Sequence, residues 1–83
     1  MRVRLPDDVD LHARPAANFV RTALGFSAKV FVATDAREVD AKSLLSVLAL
    51  GARRGTELRL RAEGEDATAA VRALATTVAE LRE

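Results

Sequence analysis

The residue pattern predicts an α+β fold, a mainly antiparallel four-stranded sheet with three helices on one face, in the order β-α-β-β-α-β-α. Three observations point there. The apolar period switches repeatedly between two and about 3.6 residues along the chain. The strand candidates alternate apolar with charged residues, so each has one wet face, which suits an antiparallel sheet covered on one side only. Glycines and polar turn residues fall where the period changes.

Taken in order, Arg2-Val3-Arg4-Leu5 has period two and reads as a strand. Ala16, Phe19, Val20, Ala23 and Leu24 follow helical spacing, which predicts a helix from Pro15 to Leu24 stopped by Gly25. Ala28 to Thr34 contains Val30, Phe31 and Val32, a β-branched and aromatic run. Asp35-Ala36-Arg37 turns it into a short return around Glu38-Val39-Asp40, a hairpin. Ser43 is placed as the N-cap of a second, short helix through Leu44, Leu45, Val47, Leu48 and Leu50, closed by Gly51. Glu57 to Glu63 alternates almost perfectly and Gly64 breaks it. Glu65 and Asp66 then supply first-turn acids for a last helix whose stripe is Ala67, Ala70, Val71, Leu74, Val78 and Leu81.

Eighty-three residues without a repeat or linker read as one domain over 1–83 with one modest core. The absence of cysteine excludes disulfides and thiolate chemistry, and with a single histidine neither a metal site nor a cofactor is expected. Thirteen basic against twelve acidic residues leave a net charge of +1, which provides no field for nucleic acid. Three phenylalanines with no tyrosine or tryptophan leave little to stack on bases. No stretch has the length or apolarity of a membrane span or a signal core, so a cytoplasmic, monomeric protein is expected.

The chemistry concentrates in Leu11-His12-Ala13-Arg14-Pro15-Ala16-Ala17, which holds the only histidine. Imidazole is nucleophilic and partly neutral near pH 7. A histidine at a helix start is often merely a cap or a surface residue, but here its neighbours fit an anion. The first turn of a helix leaves about four N–H groups without intrahelical partners, and Pro15 suits such a turn. Those amides and the helix dipole attract anions, and Arg14 adds a planar fork matched to phosphate oxygens. Ala13, Ala16 and Ala17 leave the approach open and offer backbone amides to the phosphate. The combination suggests a histidine that accepts a phosphoryl group.

These residues resemble HPr, the histidine-containing phosphocarrier family of the phosphoenolpyruvate-dependent phosphotransferase system. Leu11 to Ala16 is similar to its phosphorylation-site motif. Ala41-Lys42-Ser43-Leu44-Leu45-Ser46-Val47-Leu48-Ala49-Leu50-Gly51 resembles its second signature, and Ala62 to Ala67 its entry to the final helix. The resemblance spans nearly the whole chain and implies an open-faced β-sandwich. It implies a stoichiometric carrier rather than an enzyme. His12 would be phosphorylated on the δ nitrogen by phosphorylated enzyme I and would pass the group to enzyme IIA domains of sugar uptake systems. Arg14 would hold the phosphate oxygens in transit.

The resemblance also marks Ser43 as a regulatory phosphorylation candidate, compatible with its capping role, and extends the partners to a serine kinase/phosphorylase and a transcriptional regulator. Ala17, Arg21, Leu44, Leu45 and Leu48 are expected to form a partner-docking patch beside His12, since so short a helix cannot bury every face. The same motifs fit two alternatives: a regulatory HPr-like binding module controlled through Ser43, and a carrier of a nitrogen-regulatory or dihydroxyacetone-kinase branch. An acylphosphatase reading finds no glycine-bounded anion loop. One departure stands out: many members carry glycine where this chain has Asp10. If that position needs positive φ, aspartate is among the few residues that tolerate it, and its carboxylate would repel a nearby phosphate.

Overall fold

The computed structural model describes residues 1–82. The elements run β1 (Arg2–Arg4), α1 (Ala13–Leu24), β2 (Lys29–Ala33), β3 (Glu38–Asp40), α2 (Leu44–Leu50), β4 (Glu57–Glu63) and α3 (Ala67–Ala79). The four strands form one antiparallel sheet in the order β1-β4-β2-β3. The predicted element order and open-faced architecture are therefore observed. None of the described helices is long and apolar enough to cross a membrane.

The registers explain the single apolar face. Val32 stands opposite Leu60 and Val30 opposite Ala62 in the central pair, while Val3 stands opposite Leu58 at the β1 edge. A pleat of period two puts all of these on one side, where α1 and α3 cover them. Leu58, Val32, Phe19, Leu74 and Val47 are fully buried there. Burial stabilises each such side chain by about 1.5–3 kcal/mol relative to exposure. A Thr22–Thr77 hydroxyl contact of 3.0 Å joins α1 to α3. On the open face, the Arg61 guanidinium lies 4.2 Å from the Phe31 ring centroid and pairs with Glu38 at 2.7 Å and with Glu63. That hydrogen-bonded pairing holds the Glu38 carboxyl below its ordinary range.

Several boundaries differ from expectation, each for a local reason. β1 stops at Arg4 because the Thr56 N–H turns to the Arg53 carbonyl at 3.0 Å rather than back to Leu5, although Leu5 still donates to the Thr56 carbonyl at 3.0 Å. β2 is shorter by a residue at each end, and Thr34 belongs to the turn through its bond to the Arg37 carbonyl at 3.0 Å. α3 ends at Ala79, so Leu81 is buried from the segment after the helix rather than as part of its stripe.

Asp66 makes no side-chain cap for α3. Its carboxylate turns to the loop before β2 and accepts from the backbone N–H of Ser27 at 2.9 Å, of Ala28 at 2.8 Å, and from the Ser27 hydroxyl at 3.3 Å. Those donors, led by the Ser27 backbone, hold its carboxyl below the usual carboxylate range. Gly64, at φ 138°, sits so close that an added Cβ would come within 3.0 Å of the Ala28 Cα, which a larger residue could not accommodate.

Candidate phosphate site around His12

α1 begins at Ala13, two residues earlier than the spacing predicts, with His12 as its N-cap. Pro15, Ala16 and Phe19 are buried and dock the first turns on the core. With Leu11 also buried on the other side, His12, Ala13 and Arg14 are forced outward, and all three are exposed. The His12 backbone is extended (φ −145°, ψ 156°) and its side chain makes no cap bond. The helix therefore makes no use of the imidazole.

The early start changes which amides are available. The N–H groups of Ala13 and Arg14 have no acceptor among the described residues. Of the amides expected to face a phosphate, only that of Ala13 is in this position. The N–H of Ala16 donates to the His12 carbonyl at 3.4 Å, and that of Ala17 falls within the helix's own ladder. Arg14 makes no ion pair or hydrogen bond among the described residues.

Positive φ is found at Ala13 (47°) and not at Asp10; Ala13 is the sole non-glycine residue in that region among those described. Alanine there costs about 1–2 kcal/mol because its Cβ crowds the following carbonyl oxygen. Asp10 has a different task. Its Oδ1 accepts from the Arg54 backbone N–H at 2.8 Å and lies 3.7 Å from Arg54 Nε. The carboxylate is thus engaged by a cation and an amide, which overturns the picture of a bare charge facing the phosphate.

α2 reaches the same end of the molecule. Lys42 Nζ donates to the Phe26 carbonyl at 2.6 Å, and Ala41 N–H to the Val30 carbonyl at 2.9 Å, fixing the approach to the helix. The Ser43 hydroxyl accepts from the Ser46 N–H at 3.2 Å, the predicted N-cap, and Gly51 closes α2 with φ 66°. Leu44 and Leu45 keep 41% and 81% of their surface exposed, whereas Leu48 is half-buried against the core. Leu48 nevertheless lines a depression of about 310 Å³ together with Asp10, Leu11, His12, Gly51, Ala52 and Arg53. On α1, Ala17 is half-buried and Arg21 exposed, its guanidinium donating to Asn18 Oδ1 at 3.1 Å.

His12 and Leu48 therefore share one hollow, while Leu44 and Leu45 lie exposed earlier on the same helix. Sequence reasoning missed Arg53 and the partnership of Asp10 with Arg54. A pair of arginines just after a glycine helix stop was the available signal.

Comparison with known proteins identifies the family and the fold. The family model described as the PTS HPr component phosphorylation site matches residues 1–80. The HPr-like protein Crh of Bacillus subtilis is 44% identical over 70 residues, covering 84% of this chain and 82% of that protein. The phosphocarrier protein HPr of Treponema pallidum is 42% identical over 72 residues, covering 87% of this chain and 82% of its own length. The crystal structure of a phosphocarrier protein HPr from Bacillus anthracis superposes with a TM-score of 0.89 at 38% identity, covering 94% of this chain and 93% of that one. Agreement of sequence and fold over nearly the full span of both partners leaves one assignment, and the chain belongs to the HPr phosphocarrier family of the phosphotransferase system.

Proposed function

We propose that His12 receives a phosphoryl group from phosphorylated enzyme I, which draws it from phosphoenolpyruvate, and delivers it to enzyme IIA domains of sugar uptake systems. The observation that carries this reading is the exposed, uncapped imidazole next to the Ala13 and Arg14 amides, which, like the Arg14 guanidinium, have no partner among the described residues. The lone pair of an unprotonated His12 nitrogen attacks phosphorus and forms the new N–P bond as the donor histidine's N–P bond breaks. Each ring keeps the proton on its other nitrogen, so the exchange balances without a further reactant. The chain's contribution is in-line placement and charge neutralisation, which dominate phosphoryl transfer. The N–H groups of Ala13 and Arg14 and the Arg14 fork meet the phosphate oxygens. Leu44, Leu45 and Leu48 supply apolar docking area beside them.

Incubation with phosphoenolpyruvate and enzyme I tests this directly. The protein gains one acid-labile phosphate, and His12→Ala gains none. Equal labelling of the alanine variant, or none of the unaltered protein, refutes the carrier role of His12.

A further inference from the structure

Five of the eleven arginines pair with an acid among the described residues: Arg2 with Glu57 at 3.8 Å, Arg4 with Asp7 at 3.4 Å, Arg54 with Asp10 at 3.7 Å, Arg59 with Asp35 at 3.0 Å and Arg61 with Glu38 at 2.7 Å. Arg53 differs. It is exposed and makes no ion pair or side-chain hydrogen bond among the described residues, yet it lines the His12 depression. Its backbone is closely held. On one side, Leu11 N–H donates to the Ala52 carbonyl at 2.9 Å. On the other, Asp10 Oδ1 accepts the Arg54 N–H at 2.8 Å and lies 3.7 Å from Arg54 Nε. Thr56 N–H closes the turn onto the Arg53 carbonyl at 3.0 Å. The two residues that precede His12 thus bracket the two that flank Arg53. Asp10 pairs with Arg54, whereas Arg53 makes no ion pair among the described residues.

We propose that Arg53 is a second phosphate-contacting residue of the His12 site, and that Asp10 is the positioning residue that holds it there through Arg54. The proposal rests on the phosphocarrier reading and extends it. A phosphoryl group on imidazole carries close to two negative charges and three acceptor oxygens. Arg14 supplies one guanidinium from the start of α1, and Arg53 supplies another from the loop between α2 and β4. Two forks from separate segments can hold different oxygens, which a single arginine cannot do as completely.

The test uses phosphorylated enzyme I as donor and measures kcat and KM for transfer alongside the urea unfolding midpoint. Arg53→Ala lowers kcat about tenfold, the scale of a lost charge-assisted hydrogen bond, with an unchanged midpoint. Arg53→Lys recovers part of the loss, since it restores charge without the fork. Asp10→Ala lowers kcat in the same direction, and Asp10→Asn, which keeps an acceptor for the Arg54 N–H, restores most of it. Combining Asp10→Ala with Arg53→Ala adds little beyond Arg53→Ala alone, because both act through one contact.

Normal kcat in a folded Arg53→Ala overturns the proposal. Multiplying effects in the double variant, or an Asp10→Ala that loses stability without losing kcat, overturns the role of Asp10. Should Asp10→Ala not fold, Asp10→Asn and the Arg53 pair decide the matter. Failure of the unaltered protein to accept phosphate overturns the carrier reading as well, so the two failures are distinguishable.

Discussion

Arg14→Ala tests the proposed phosphate fork apart from everything else in the candidate site. The side chain is exposed and makes no ion pair or hydrogen bond among the described residues, so its loss should change folding stability by no more than about 0.5 kcal/mol. The backbone N–H of Arg14 remains in place, as does that of Ala13. On the role proposed for Arg14, what disappears is one contact to the charge that develops on the transferring group, commonly worth about 2–4 kcal/mol. At 1.36 kcal/mol per tenfold, that corresponds to a rate loss of roughly 30- to 900-fold. Water reaches Arg14 in the free carrier, which weakens the contact, so about 30-fold is the expected value. Rapid-quench measurement of radiolabelled transfer from enzyme I, and back to it, reads the effect in both directions. Arg14→Lys should recover only part, because an ammonium group cannot present two parallel donors. Wild-type rates in a folded Arg14→Ala would show that the amides alone hold the phosphate, and the role of the fork would be wrong.

Two further outcomes follow from the geometry. Ser43→Asp keeps an acceptor at the start of α2, so stability should hold within about 0.5 kcal/mol, whereas Ser43→Ala should lose about 1 kcal/mol with its cap. A charge beside exposed Leu44 and Leu45 should raise the KM for enzyme I with little change in kcat, and normal docking would exclude α2 from the partner surface. Asp66 contributes stability because its carboxyl titrates below its ordinary value of 3.8: the contribution is complete above that value and is lost as pH falls through the lower, folded one. Asp66→Asn should therefore be less stable near neutrality and lose less on acidification below about pH 4, as urea titrations at several pH values would read; parallel acid limbs would rule out the Ser27–Ala28 contacts as the cause.

What the sequence made legible was local. Ser43 and Gly51 bracket α2 because a hydroxyl cap and a left-handed glycine stop act within a few residues of themselves. The hairpin, the strand alternation and the exposure of Leu45 are of the same kind. The start of α1 was not legible, because alanine carries no signal for the left-handed geometry that Ala13 adopts. Asp66 had the residue type of a helix cap, yet it was claimed by amides 38 and 39 residues away. Asp10 and Arg54 stand 44 residues apart, and no periodicity links them. In the candidate site, then, one motif pointed to His12 and Arg14, both exposed at the start of α1, while the loop that completes the hollow was not readable.

The two free edges of the sheet, β1 and β3, are each three residues long and end in outward charges: Arg2 and Arg4 on one, Glu38 and Asp40 on the other. Such edges give an incoming strand almost nothing to zip onto, and charge disfavours the attempt. Main-chain ladders are slow to undo, and the lifetime of a complex is governed mainly by how fast it comes apart. A carrier has to leave the protein that loaded it before it can reach the one it serves. With the sheet edges closed to backbone pairing, the docking proposed for the His12 end rests on a few side chains, contacts small enough to release.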